Sequence, residues 1–250
     1  MYTGIGLVAF SFIFGSGIAG LFLGKILPKD HHSDATQRTV QMAMSTVGIL
    51  AALVLGLLIA SAKGNLDTGN KEIEQFSTSL ILLDREAVHF GAETKPIRDL
   101  LRAFTKEKID QTWTEGTGTI ADHSRTVQML DEIQNRLRGF SAQSDADRFA
   151  QNAALSLVAD LKNNSRVLAV QQGNRTSRPF FIVMIFWLSV LLLSYGVFAP
   201  PNATVIAAMA ITAFSIAVAM NLIVDMDHPF AGYINVSKAP MQQALEQMKP

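Results

Sequence analysis

Four long stretches of the chain contain no Asp, Glu, Lys, Arg or His: positions 4–24, 40–62, 180–199 and 203–224. Each is about 20 largely apolar residues, the length a helix rising ~1.5 Å per residue needs to cross a ~30 Å hydrocarbon core. The pattern predicts four membrane-spanning helices. Between the second and third runs the apolar positions change to spacings of three and four. Ile73, Phe76, Leu80, Leu83, Ala87 and Phe90 form a seam along one helix, with Gly91 as its expected C-cap. A second helix is expected to open at Thr94 with Pro96 in its first turn and to carry Ile97, Leu101, Phe104 and Trp113; Gly116-Thr117-Gly118-Thr119 breaks it. A third carries Val127, Leu130, Ile133, Leu137 and Phe140, and a fourth, over about 144–172, carries Ala150, Ala154, Leu157, Leu161 and Leu168. Four amphipathic helices with short connections predict an up-down bundle. The pattern leaves open whether that bundle is free-standing or built from extensions of the spans.

The fold class expected is therefore all-α: an integral membrane protein with four transmembrane helices and an inserted amphipathic helical bundle. Residues 1–62 read as a transmembrane hairpin, 63–178 as a helical extramembrane domain, 179–224 as a second hairpin and 225–250 as a tail. Pro200, Pro201 and Asn202 alone join the third and fourth runs. Proline lacks an N–H and fixes its backbone angle, so the pair stops one helix before the next begins and makes those spans antiparallel neighbours. Pro179 precedes the third run, where a helix tolerates proline best. No Lys or Arg precedes Lys25, so the first run lacks the basic flank of a signal peptide and is expected to be a retained span.

Composition narrows the chemistry. The chain is 49% hydrophobic and 17% charged, against roughly 25% charged for an ordinary soluble domain. Formal net charge is zero, which argues against a nucleic-acid partner. There is no cysteine, hence no disulfide, thiolate metal site or thiol nucleophile. The sequence shows no Walker-type loop, GxSxG, HExxH or dinucleotide fingerprint, so nothing predicts an enzyme or a cofactor. Positions 63–178 hold 16 basic and 16 acidic residues, a mixed surface with no one-signed patch. Asp84-Arg85-Glu86 reads as ion pairing beside the seam.

Small residues mark packing faces inside the spans. Ser16, Gly20 and Gly24 recur at fours in the first, and Gly48, Ala52, Gly56 and Ala60 in the second. Such stripes let helix backbones approach closely where lipid supplies no hydrophobic drive. They read as a packing face inside the protomer or between protomers, against the plainer reading that Gly and Ala are simply common in spans. Asn221 is the most polar residue of the fourth run, with Ser215 and Thr212 on nearby turns. They either line a polar path or bond back to their own helix. Beyond it, Asp225 and Asp227 with His228 offer the ligand types of a hard-cation site, although a solvated membrane-exit turn explains the same residues. His31 and His32 read as a solvated loop pair.

The run Val224-Asp225-Met226-Asp227-His228-Pro229-Phe230-Ala231-Gly232, followed by Val236-Ser237, resembles the signature that ends the bestrophin-like family of bacterial membrane proteins. That signature has an Asp, a basic residue, Pro-Phe, a small residue and Gly, then Val-Ser. Asp225, Asp227, Pro229, Phe230 and Gly232 carry it here, with His228 in place of the usual Arg. Positions 56–62 and 82–91, with Leu83-Asp84-Arg85, look similar too. The resemblance implies kinship with bestrophins, oligomeric anion channels with cytosolic helical domains.

An even number of spans puts both termini and the central domain on one side. Lys25, Lys29 and Arg38 in the first connector oppose Lys63, Lys71, Arg166, Arg175, Arg178 and Lys238 on the domain's side, so the positive-inside rule splits. With the resemblance added, the expectation is a multi-pass protein of a bacterial inner membrane with a cytosolic central domain. Its expected partners are the lipid bilayer, further copies of itself and an inorganic anion. The competing expectation is a membrane-anchored sensor or scaffold whose helical domain binds a partner or small ligand.

Overall fold

The computed structural model describes residues 3–28, 33–88, 94–113, 120–173, 178–230 and 232–248. Every regular element among them is a helix: α1 (Thr3–Ile26), α2 (Asp34–Val88), α3 (Lys95–Trp113), α4 (Ile120–Gly139), α5 (Asp145–Gly173), α6 (Arg178–Phe198), α7 (Ala203–Met226) and α8 (Ala239–Gln247). Four of these, α1, α2, α6 and α7, are long and apolar enough to cross a membrane. The Gly91 cap, His31 and His32, the 116–119 break and Ala231 lie outside the described residues.

The chain divides into two compact units. The span unit comprises residues 1–65 and 176–227, and the helical unit comprises 66–175 and 228–250. The second span and the first amphipathic helix are one continuous 55-residue helix, α2. At ~1.5 Å per residue it is ~80 Å long. The bundle thus begins as an extension of a span. Ser33 starts it, its Oγ accepting the Thr36 amide at 3.3 Å, as an N-cap hydroxyl does.

In the helical unit, Phe76, Leu80 and Leu83 of α2, Leu101 and Phe104 of α3, Leu130, Ile133 and Leu137 of α4, and Ala154 and Leu161 of α5 are buried. Phe76 and Phe104 join α2 to α3 with ring centroids 6.1 Å apart. Asp84 is the ion-paired member of its cluster: Arg98 of α3 donates Nε to one carboxylate oxygen at 2.8 Å and Nη2 to the other at 3.0 Å. A capping box opens α5, where Ser144 Oγ accepts the Asp147 amide and Asp147 accepts the Ser144 amide. Gln151 then donates to the carbonyls of Leu137 and Phe140, closing the α4–α5 corner.

Two seam positions differ from the sequence reading. Val127 is 44% exposed while its neighbour Thr126 is buried, because the stripe 126, 130, 133, 137 follows the 3.6-residue period better and Thr126 reaches the Gln111 amide at 3.4 Å. On α5 Val158 takes the fully buried position and Leu157 is half-buried. The tail also forms a helix, α8, with proline in its first turn. Its Met241 and Ala244, with Met248 just beyond, are buried.

Candidate functional site

In the span unit, α1 packs along α6 and α7. Its small-residue face meets the backbone of α6. A Cβ on Gly20 would strike the Leu193 carbonyl oxygen and lie 3.0 Å from the Cα of Gly196; one on Gly24 would strike the Val197 carbonyl oxygen. Ser16 Oγ is within hydrogen-bond distance of the carbonyls of Ile13, at 2.7 Å, and Ser189, at 2.8 Å. Gly17 adds contacts to Leu192 and Met209. The stripe legible on α1 therefore has a backbone groove as its partner. Gly196 completes that groove, and no stripe on its own helix announces it.

The α2 stripe behaves differently. A Cβ on Gly48 would lie 3.1 Å from Leu191, but one on Gly56 meets nothing within 4 Å. Ala52, Gly56 and Ala60 are exposed, as are Met42, Ile49, Leu53 and Leu57. Only 11% of the most apolar part of α2 is buried, against 33% for α1, 28% for α6 and 22% for α7. The part of the α2 stripe from Ala52 to Ala60 is thus exposed, while Gly48 meets α6.

Of the polar positions on α7, Thr212 and Ser215 are exposed and give their hydroxyl hydrogens to Ala208 and Ile211 of the same helix, both at 2.9 Å. Asn221 packs against α1, its Cβ 3.2 Å from where a Gly6 side chain would begin. Asn202 caps the N-terminus of α7 by accepting the Val205 amide at 2.9 Å, which explains how the Pro200-Pro201-Asn202 turn restarts the helix. At the other end Asp225 and Asp227 are both buried, and Asn65 of α2 donates to Asp227 at 3.3 Å. No group of three or more His, Cys, Asp or Glu with metal-site spacing occurs among the described residues.

The rest of the terminal motif belongs to the helical unit. Phe230 meets Trp113 of α3 edge-on, with ring centroids 5.8 Å apart. Trp113 Nε1 donates to the Val236 carbonyl at 2.8 Å, and the Val236 amide donates to the Pro229 carbonyl at 2.6 Å. Gly69 of α2 leaves room for this loop: a Cβ there would lie 3.1 Å from Val236. Arg102 of α3 donates to the Met248 carbonyl. The Pro-Phe loop is thus a packing element, held by backbone hydrogen bonds and one aromatic edge. An open polar cleft of about 590 Å³ lies elsewhere in this unit, between Lys71, Glu74 and Thr78 of α2 and Asp160 and Asn164 of α5.

The chain matches the model of the bestrophin-like domain over residues 10–241. Crystal structures of substituted forms of a bacterial bestrophin homologue from Klebsiella pneumoniae share the fold. One is 12% identical with a TM-score of 0.69, covering 97% of this chain and 97% of that chain. A second is 12% identical with a TM-score of 0.68, covering 95% and 97%. A third is 12% identical with a TM-score of 0.66, covering 94% and 98%. The chain matches no curated protein sequence.

Proposed function

The chain belongs to the bestrophin-like family, and from that premise we propose that it assembles as a symmetric homo-oligomer around an axial pore that conducts inorganic anions. The observation that carries this reading is the uncovered face of α2. Of the four spans it is the least buried; its Ala52, Gly56 and Ala60 are exposed, and among the described residues nothing beyond its own helix lies within 4 Å of a Cβ built on Gly56. Small side chains on an exposed helix face suit close approach between copies. A symmetry axis between copies is the natural place for such a path, with α1 engaged by α6 and α7 inside the protomer. Positions 40–62 of α2 hold no ionisable residue. A path along it selects through hydroxyls, backbone dipoles and apolar constrictions, without charged rings. Thr212 and Ser215, on α7 and bonded to their own helix, take no part in the path we propose, and Asn221 belongs to the α1 contact. The anion preference comes from the family. The helical unit and both termini are assigned to the cytosol and the spans to a bacterial inner membrane.

The chain has no cysteine, so a single Ala52→Cys variant gives an unambiguous test. A charged, water-soluble thiol reagent is expected to modify it in the assembled, membrane-embedded protein. Modification by lipid-soluble reagents alone would remove α2 from the path. The alternative, a sensor or scaffold, draws support from the cleft lined by Lys71, Glu74, Asp160 and Asn164.

A further inference from the structure

Lys108 sits on the buried face of α3, one turn beyond Phe104 and two beyond Leu101, and is 4% exposed. Its Nζ donates to Ser165 Oγ of α5 at 2.9 Å. A hydroxyl is a neutral partner and does not balance the charge. The helices of this unit carry carboxylates, among them Glu107 and Asp110 on α3, Glu72 on α2, Asp131 on α4 and Asp160 on α5. The cations on α4 and α5 include Arg125, Lys162 and Arg166; Lys162 is engaged by Asp131 and Gln134. Among the described residues none of these carboxylates forms an ion pair with Lys108. The other polar groups buried nearby along α3 and α4, Thr105, Thr112 and Thr126, are also neutral.

We propose that Lys108 is a proton-controlled latch in the helical unit: its neutral amine closes the bridge from α3 to α5, and its charged form loosens it. Burying an unpaired ammonium is costly, and the fold relieves that cost by releasing the proton. Desolvation accordingly brings the group down from 10.5 to about 8. The unfolded or opened chain holds its proton up to the ordinary lysine range. The destabilisation is therefore complete below about pH 8 and fades as pH rises from there toward 10.5. Because α3 also holds the loop that follows the last span, through Trp113 on Val236 and Arg102 on Met248, loosening α3 loosens that loop.

Thermal unfolding and amide exchange of the full-length protein in detergent test the latch. Between about pH 7 and pH 9 the opening equilibrium of the wild type is expected to fall roughly tenfold, seen as a rising unfolding midpoint and greater protection of the Val236 amide beyond the intrinsic pH effect. Lys108→Met should flatten both profiles and raise the midpoint at pH 7. Ser165→Asp, which supplies the missing counter-charge, should also flatten them while keeping the lysine, and it decides the matter if Lys108→Met does not fold. A wild-type pH profile in either variant, or a Val236 amide indifferent to Lys108, overturns the proposal.

Discussion

Gly20 of α1 and Gly196 of α6 face each other with no side chain between them: a Cβ built on either would lie 3.0 Å from the Cα of the other. The same two surfaces bring Gly20 against the Leu193 carbonyl and Gly196 against the Gly17 carbonyl. In a membrane this backbone-to-backbone packing supplies the dispersion contacts that hold α1 to α6, since lipid is as apolar as the side chains it would replace.

Gly20→Val should therefore force α1 and α6 apart. Overpacking at a rigid contact costs about 1–3 kcal/mol, so the unfolding midpoint in detergent should drop clearly. Gly15→Ala on the same helix is the control, because a Cβ there meets nothing within 4 Å. Equal midpoints for Gly20→Val and the control would show that the contact contributes nothing.

Gly56→Leu separates packing within the chain from packing between chains. Among the described residues nothing beyond the adjoining turns of α2 lies within 4 Å of a Cβ at Gly56, so helix content should be unchanged, while a bulky side chain on the α2 face should break the assembly. Size-exclusion chromatography with light scattering reads the result. A variant of wild-type oligomer size would remove α2 from the interface.

The Asp84–Arg98 pair ties α2 to α3 through two hydrogen bonds, with the carboxylate side chain 9% exposed and the guanidinium 24%. Arg98→Ala leaves that carboxylate without its two donors and should cost about 2 kcal/mol. Asp84→Asn, which keeps an acceptor oxygen but no charge, should cost less. Urea titration followed by circular dichroism distinguishes the two; an equal loss would mean that shape, not charge, matters there.

Topology can be read with introduced thiols. Phe149→Cys on α5, where the native side chain is 79% exposed, should resist a membrane-impermeant maleimide in intact cells and react after lysis. Pro201→Cys, in the turn between α6 and α7, should react in intact cells whose outer membrane has been permeabilised. The reverse pattern would place the helical unit outside the cytosol.

The spans and most of the core were legible because both are written locally, as charge-free runs and as three-and-four seams such as Leu130, Ile133 and Leu137. Seam edges were harder. Thr126 outranks Val127 because a buried hydroxyl with a partner costs little. The continuity of α2 was left open by the sequence, because charges at Lys63, Asp67 and Lys71 separate the apolar run from the seam that starts at Ile73. Packing explains Gly69, where the Val236 loop comes close. The partner of the Gly20 stripe is some 170 residues away in the chain, and no local pattern encodes such a pairing. Lys108 did leave a signal, since it occupies the seam register set by Leu101 and Phe104, where a charge is out of place.

The central claim is anion conduction, and chloride flux through reconstituted protein tests it most directly. Purified oligomer in chloride-loaded liposomes, supplied with a counter-ion path, should release chloride faster than protein-free liposomes and faster than those containing Gly56→Leu. Release no faster than from empty liposomes, by protein shown to be correctly assembled, would contradict the channel and move the account to the scaffold.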